Sequence, residues 1–152
     1  MMMKNKLLIF LAGPIEGKSW EEANEWREYV RKELEDLPIL IYNPISRYEL
    51  QLKNVKKIET WSIKNISVDE MEATNILYLK NADIILCNLM DGYSVGTSME
   101  IGYGYATNKT IIVVCKDTNI HPLVSKWADL FYSTIDDAIE YIKNDLCGRI
   151  II

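Results

Sequence analysis

Ala82-Asp83-Ile84-Ile85-Leu86-Cys87-Asn88-Leu89 and, a few residues later, Ser94-Val95-Gly96-Thr97-Ser98-Met99-Glu100-Ile101-Gly102 decide how this chain reads. The first stretch is a short apolar run bounded by turn residues, the pattern of a strand buried on both faces. The second opens a helical pattern near Gly96. Ligands of open α/β sheets bind at the carboxyl ends of strands. Glu100, about one turn into a helix that leaves such an end, therefore stands where a substrate can reach a nucleophile or general base. A glutamate in a first turn ordinarily serves only the helix dipole, for ~0.3–1 kcal/mol. Its surroundings weigh toward chemistry.

Outward from this strand and helix, apolar runs alternate with helical patterns, the signature of βαβ units and a mostly parallel sheet. Strand one is read as Leu7 to Ala12, ended by Gly13-Pro14. Helix one runs from Ser19 to Leu37, with Ser19 as N-cap, Glu21 and Glu22 in its first turn, and Trp20, Ala23, Trp26, Val30 and Leu34 on one face. Strand two is Ile39 to Tyr42, closed by Asn43-Pro44. Ser46 to Ser67 carries no clear period, and a loop of that length in a small domain often folds over a site. Helix two is Val68 to Lys80, strand three Asp83 to Leu89, helix three Gly96 to Thr107 and strand four Thr110 to Cys115. A short helix from Pro122 to Ala128 leads to a fifth strand at Leu130 to Tyr132. Thr134 caps a last helix from Ile135 to Asp145, which Gly148 ends. With right-handed crossovers this predicts an α/β, flavodoxin-like three-layer αβα sandwich around a five-stranded parallel sheet of order 2-1-3-4-5.

The chain's 152 residues, 49% hydrophobic and 26% charged, fit one domain over 1–152 with a real core. A net charge of -5 argues against binding to a nucleic acid polymer or an anionic membrane, both of which need clustered Lys and Arg. A small anion stays within reach of a few local donors. Cys87, Cys115 and Cys147 are an odd number and form no CxxC motif, and Cys87 and Cys115 lie in apolar strand-like runs, so these two are expected as buried thiols, which suits a reducing cytoplasm. Leu7 to Leu11 after Lys4 and Lys6 is too short and lacks the cleavage site of a leader. No apolar run reaches membrane-spanning length.

Two loops face the expected site. Gly13-Pro14-Ile15-Glu16-Gly17-Lys18 follows strand one, and its glycines allow close approach of a phosphate or sugar, although its spacing is neither GxGxxG nor a P-loop. Asp91-Gly92-Tyr93-Ser94-Val95-Gly96-Thr97 offers the Ser94 and Thr97 hydroxyls and the amides at the helix start near Gly96. Ser94 or Thr97 capping the helix is the commoner role, and neither role excludes the other. His121, the only histidine, has no partner at ligand spacing, so no metal site is expected, and no GxSxG elbow supports a serine nucleophile.

Taken together, Ile9-Phe10-Leu11-Ala12-Gly13-Pro14-Ile15, Tyr42-Asn43-Pro44, Ala82-Asp83-Ile84-Ile85-Leu86 and Gly96-Thr97-Ser98-Met99-Glu100-Ile101-Gly102-Tyr103 resemble the nucleoside 2-deoxyribosyltransferase superfamily. The strand pieces are individually weak, whereas the GTxxEIG element in this order is fairly specific. The resemblance implies that Glu100 attacks the anomeric carbon of a small-molecule nucleoside or nucleotide, forming a glycosyl-enzyme that a second base or water then resolves. No metal or organic cofactor is implied. In the transferases the residue six before the nucleophile is generally Asp, and in the related nucleotide N-glycosidases it is Ser, a phosphate ligand. This chain has Ser94, with Gly13, Ile15 and Gly17 completing the cradle by analogy.

Cleavage of a 5'-monophosphate by water is accordingly favoured. The alternatives are base exchange between free deoxynucleosides and a nucleotide-binding module without turnover. The family's helper Asp, eight residues before the Asp that opens strand three, falls on Asn75, so Asp69 or Glu72 replaces it or protonation of the base is arranged differently. Asp91 is a further candidate acid. Phe10 and Trp20 can line the pocket or the core, and Asn43, Arg47 and Tyr48 follow the strand near which relatives recognise the base. His121-Pro122 resembles a loop that reaches a neighbouring subunit's site, which implies at least a homodimer.

Overall fold

The computed structural model describes residues 6–59, 67–116 and 120–146. Met1 to Asn5 of the leader-like stretch, Cys147 and Gly148 lie outside the described residues. The elements run β1 (Leu7–Ala12), α1 (Trp20–Glu33), β2 (Ile39–Tyr42), a 3-10 turn (Ser46–Tyr48), α2 (Glu49–Leu52), α3 (Val68–Asn81), β3 (Ile84–Asn88), α4 (Val95–Ala106), β4 (Thr110–Val114), α5 (Pro122–Trp127), β5 (Leu130–Tyr132) and α6 (Ile135–Tyr141). The five strands form one parallel sheet in the order β2-β1-β3-β4-β5, as the alternation of runs predicts.

Strand alternation divides the core in two. Ile9, Leu11, Ile84, Leu86, Ile112 and Val114 face one side, where Val30 and Leu34 of the α1 segment and Ala138, Ile139 and Ile142 cover them. Phe10, Ala12, Ile85, Cys87, Ile111 and Val113 face the other, beneath Leu79 of α3, Ile101 of α4 and Val124 of α5. Two aspartates tie strand starts together. Asp83 donates its amide to Leu8 O and accepts Leu8 N on Oδ2, both at 2.8 Å. Asp129 repeats the device with Ile111, at 2.9 and 2.8 Å.

Capping signals in the sequence are realised. Ser19 and Glu22 form a reciprocal capping box on α1, and Ser94 and Thr134 cap α4 and α6. The differences are at ends. The α1 helix stops at Glu33 rather than Leu37, because Pro38 biases Leu37 away from helical backbone and the Leu34–Leu37 segment closes as turns. The α4 helix begins one residue earlier than expected, directly after its Ser94 cap. The last helix widens after Tyr141 into a π turn, Ile142–Leu146, which keeps Ile142 fully buried. The unperiodic stretch after strand two contains the 3-10 turn and α2, and its residues 60–66 lie outside the described residues.

Gly104 seats α4 against the sheet. A Cβ there would lie 2.4 Å from Ile85 Cδ1 and 3.4 Å from Ile111 Cδ1, and both isoleucines are fully buried. Gly104→Ala is therefore expected to destabilise the fold by about 1–3 kcal/mol through overpacking, although alanine favours an isolated helix by ~1 kcal/mol. Denaturant unfolding checks the sign. A stabilised variant would mean that α4 can lift without loss.

Candidate active site at the carboxyl end of the sheet

Glu100 projects from α4 into a cavity of about 200 Å³ lined by Gly13, Ile15 and Glu16 of the first loop, Ile58 and Glu59, Met71, and Ser94 to Thr97. The cavity sits where β1 and β3 release the chain, beside the point at which sheet order reverses. The first loop is held by two main-chain bonds to the segment after α2, Gly17 N to Ile58 O at 2.6 Å and Ile58 N to Lys18 O at 2.7 Å. Gly17 has φ of +83°, which a side chain would strain. That pairing brings Ile58 and Glu59 to the cavity, so part of the unperiodic stretch does fold over the site.

Glu100 is half-buried, and one of its carboxyl oxygens is withdrawn from solvent. Its Oε2 is buried with no hydrogen-bond partner, and burial pushes its pKa up to about 8 from 4.5 despite the opposing pull of the Arg27 guanidinium. Arg27 is fully buried. It donates to Ala23 O and, at 3.0 Å, to Gly13 O, lies 4.6 Å from the Trp26 ring, and leaves Nε without a partner. Desolvation lowers its pKa to about 10, while Glu100 acts to raise it. Gly13 has no room for a side chain: a Cβ would meet Trp26 Cζ2 at 2.9 Å and Asn88 O at 3.2 Å. Cys87, beneath the site, is held as a thiol first by burial and then by Glu100.

The first turn of α4 forms the cavity's polar wall. Ser94 Oγ accepts from Thr97 N at 3.1 Å and donates to Thr97 Oγ1 at 2.8 Å, while Ser94 O accepts from Ser98 N. The amides of Val95 and Gly96 precede the first intrahelical bonds and have no acceptor within the helix.

The structure brings Gly13, Ile15, Ser94, Gly96 and Thr97 together with Glu100. Other candidates stand elsewhere. Asp91 is exposed and 3.7 Å from Lys18 Nζ. Asn75 accepts from Tyr42 OH at 3.2 Å; Tyr42 stacks on Tyr78 with ring centroids 3.8 Å apart. Burial, chiefly, lifts the Tyr42 pKa to about 12, with Glu100 a minor contributor. Asp69 and Glu72 are exposed on α3. Asn43 is buried, bonded to Asn24 and to Ile45 N, and Arg47 pairs on the surface with Glu70 and Thr74 at 2.9 Å each. Phe10 lies in the sheet core, and Trp20 packs with Ile58, Tyr48 and Met71 beneath the cavity wall. His121 caps α5 through Nδ1, and its amide donates to Tyr93 OH at 2.8 Å. Among the described residues no cluster of three or more His, Cys, Asp or Glu is arranged to hold a metal ion, and no helix is long and apolar enough to cross a membrane.

Sequence reading missed Arg27, Glu16, Ile58, Glu59 and Met71. Arg27 did leave a signal, since it falls on the same helical face as Trp20, Ala23, Val30 and Leu34. A charge at a core position needs a partner. The other four depend on loop closure, which periodicity does not encode.

A parallel α/β sheet with an enclosed carboxyl at its topological switch point defines a class of small-ligand-binding αβα proteins. A sequence profile of the nucleoside 2-deoxyribosyltransferase family matches residues 9–144, and the chain belongs to that family. Solved structures share the fold. A 2-deoxyribosyltransferase from Bacillus psychrosaccharolyticus is 21% identical, with 88% of this chain and 91% of that one covered and a TM-score of 0.61. A 2-desoxiribosyltransferase from Leishmania mexicana is 15% identical, over 91% and 98%, with a TM-score of 0.62. The CMP N-glycosidase BcmB of Clostridium botulinum is 18% identical, over 90% and 97%, with a TM-score of 0.59. No curated protein matches by sequence.

Proposed function

We propose that this chain cleaves the N-glycosidic bond of a (deoxy)nucleoside 5'-monophosphate, with Glu100 as nucleophile and water as the acceptor. The observation that carries this reading is the enclosed Glu100 Oε2, a carboxyl oxygen without a hydrogen-bond partner at a cavity of sugar size. Once ionised, which burial delays to about pH 8, the desolvated carboxylate attacks without shedding water and stabilises an oxocarbenium-like transition state through a low-dielectric gap. It needs neither a metal nor an organic cofactor to do so. Glu100 bonds to the anomeric carbon as the base leaves with the bond's electron pair; water then attacks the same carbon and returns the carboxylate.

Phosphate recognition is assigned to the first turn of α4, where the Val95 and Gly96 amides and the helix dipole favour an anion. The Ser94 hydroxyl can join them once it turns from Thr97. Membership of the family supports chemistry at the N-glycosidic bond of a nucleoside or nucleotide, and the choice of water as acceptor leans on Ser94 and on the N-glycosidase among the structural relatives. Glu16 and Glu59 in the same wall favour a second reading, base exchange between unphosphorylated deoxynucleosides, because a carboxylate repels a phosphate.

The test is to incubate the protein with deoxynucleosides and with their monophosphates, each with and without a second free base, and to follow base release and exchange by chromatography. The expected result is release from monophosphates without exchange. Exchange on unphosphorylated nucleosides would establish the second reading. Binding with no turnover of any of them would make the chain a non-catalytic nucleotide-binding module.

A further inference from the structure

We propose that Arg27 is the positioning residue of this site: buried behind the first loop, it favours ionisation of Glu100 against the burial that opposes it, and it shortens the life of the ester that Glu100 then forms. The proposal rests on reading Glu100 as the nucleophile.

Two features separate Arg27 from a merely structural side chain. It satisfies two carbonyls, Gly13 O and Ala23 O, which any two-donor neutral group would satisfy at far lower desolvation cost. Its charge, fully buried, rests against the Trp26 ring at 4.6 Å and gains further from a counter-charge. The groups that face Glu100 are the Cys87 thiol from β3, the Tyr42 phenol from β2, Glu16 and Glu59 across the cavity, and Arg27 from α1. Arg27 is the cation among them. Arg27 Nε and Glu100 Oε2 are each buried and each without a hydrogen-bond partner, and the two side chains act on each other as charges rather than through a hydrogen bond. Gly13 links the two, lining the cavity with Glu100 while its carbonyl holds the guanidinium.

The chemistry then has two parts. In the first step the Glu100 oxygen forms a bond to the anomeric carbon, the bond to the base nitrogen breaks, and the electron pair leaves with the base, which takes a proton from water. Only an ionised carboxylate can do this, and Arg27 favours that form. The product is a neutral ester, so the buried guanidinium loses its counter-ion. In the second step water bonds to the anomeric carbon, gives its proton to solvent, and the ester's electron pair returns to Glu100, restoring the pair. Arg27 gains and loses no atom, yet it raises the free energy of the intermediate relative to both flanking states.

Arg27→Gln keeps donors and removes the charge, whereas Arg27→Lys keeps the charge. On the nucleoside or nucleotide that the parent cleaves, Arg27→Gln is expected to move the acidic limb of the kcat/KM profile up by about one to three pH units. It should also increase the glycosyl-enzyme trapped by acid quench and seen by mass spectrometry. Arg27→Lys should restore most of the parent's limb. A parent-like limb in Arg27→Gln, or a loss that Arg27→Lys leaves unrepaired, would overturn the proposal. A readout without substrate runs beside it: the pH at which unfolding free energy falls as Glu100 ionises. Arg27→Gln should raise that midpoint, and an unchanged midpoint also overturns the proposal. Failure of the parent reading shows differently, as absent base release in the parent or full release in Glu100→Gln.

Discussion

Glu100→Gln is expected to lower base release by on the order of 10³-fold or more, while a nucleotide or nucleoside still binds within a few-fold of the parent affinity. Gln preserves the volume and one oxygen of the side chain in a cavity whose other walls, the first loop and the start of α4, do not depend on it. It removes the oxygen lone pair that would bond to the anomeric carbon. The loss should fall on the chemical step, since glutamine can still fill the space above Gly96. Steady-state kinetics, together with calorimetric binding to the inactive variant, checks both halves. Retention of release within tenfold would end the nucleophile assignment.

The same substitution should change stability in a pH-dependent way. The folded protein holds a proton on Glu100 up to about pH 8, whereas the carboxyl in the unfolded chain releases it near 4.5. Between those values the native state binds the extra proton, so stability falls as pH rises through that window. Desolvation is the main cause, and the loss at pH 8 relative to pH 4.5 is on the order of 3–5 kcal/mol at ~1.4 kcal/mol per tenfold. Glu100→Gln has no such proton to lose. It should match the parent near pH 5 and exceed it by several kcal/mol at pH 8, in denaturant melts at each pH. A constant difference between the two across the range would show that the carboxyl is solvated after all. The expected gain of Glu100→Gln at pH 8 makes Glu100 an instance of a site that costs stability for function.

Much of the architecture was legible from local patterns. Short apolar runs gave way to helical periods at the expected positions because strand and helix burial impose periods of two and 3.6 on any sequence. Ser19, Ser94 and Thr134 marked helix starts because a hydroxyl there satisfies an amide two or three residues on. The misplaced ends, at Leu37 and after Tyr141, are where a proline or a core residue outweighed the helical period. The placement of Glu100 near a strand's carboxyl end followed from the same local order. Its neighbours did not. Asn75 holds the helper's place in one dimension without its carboxyl and Asp91 stands as a candidate acid, yet the structure gives the first to Tyr42 and the second to Lys18.

The sequence by itself determined the layered α/β fold, the helix caps and the carboxyl-end location of Glu100, because each rests on hydrogen bonds and periods spanning a few residues, and the strand order, because crossovers between parallel strands are right-handed. Only the tertiary structure decided that Arg27 is buried behind Gly13 within electrostatic reach of Glu100, that Ile58 and Glu59 close the cavity, and that the Glu100 proton is held to about pH 8. Those properties come from desolvation and from charges acting through space, and both depend on which distant segments the fold packs together.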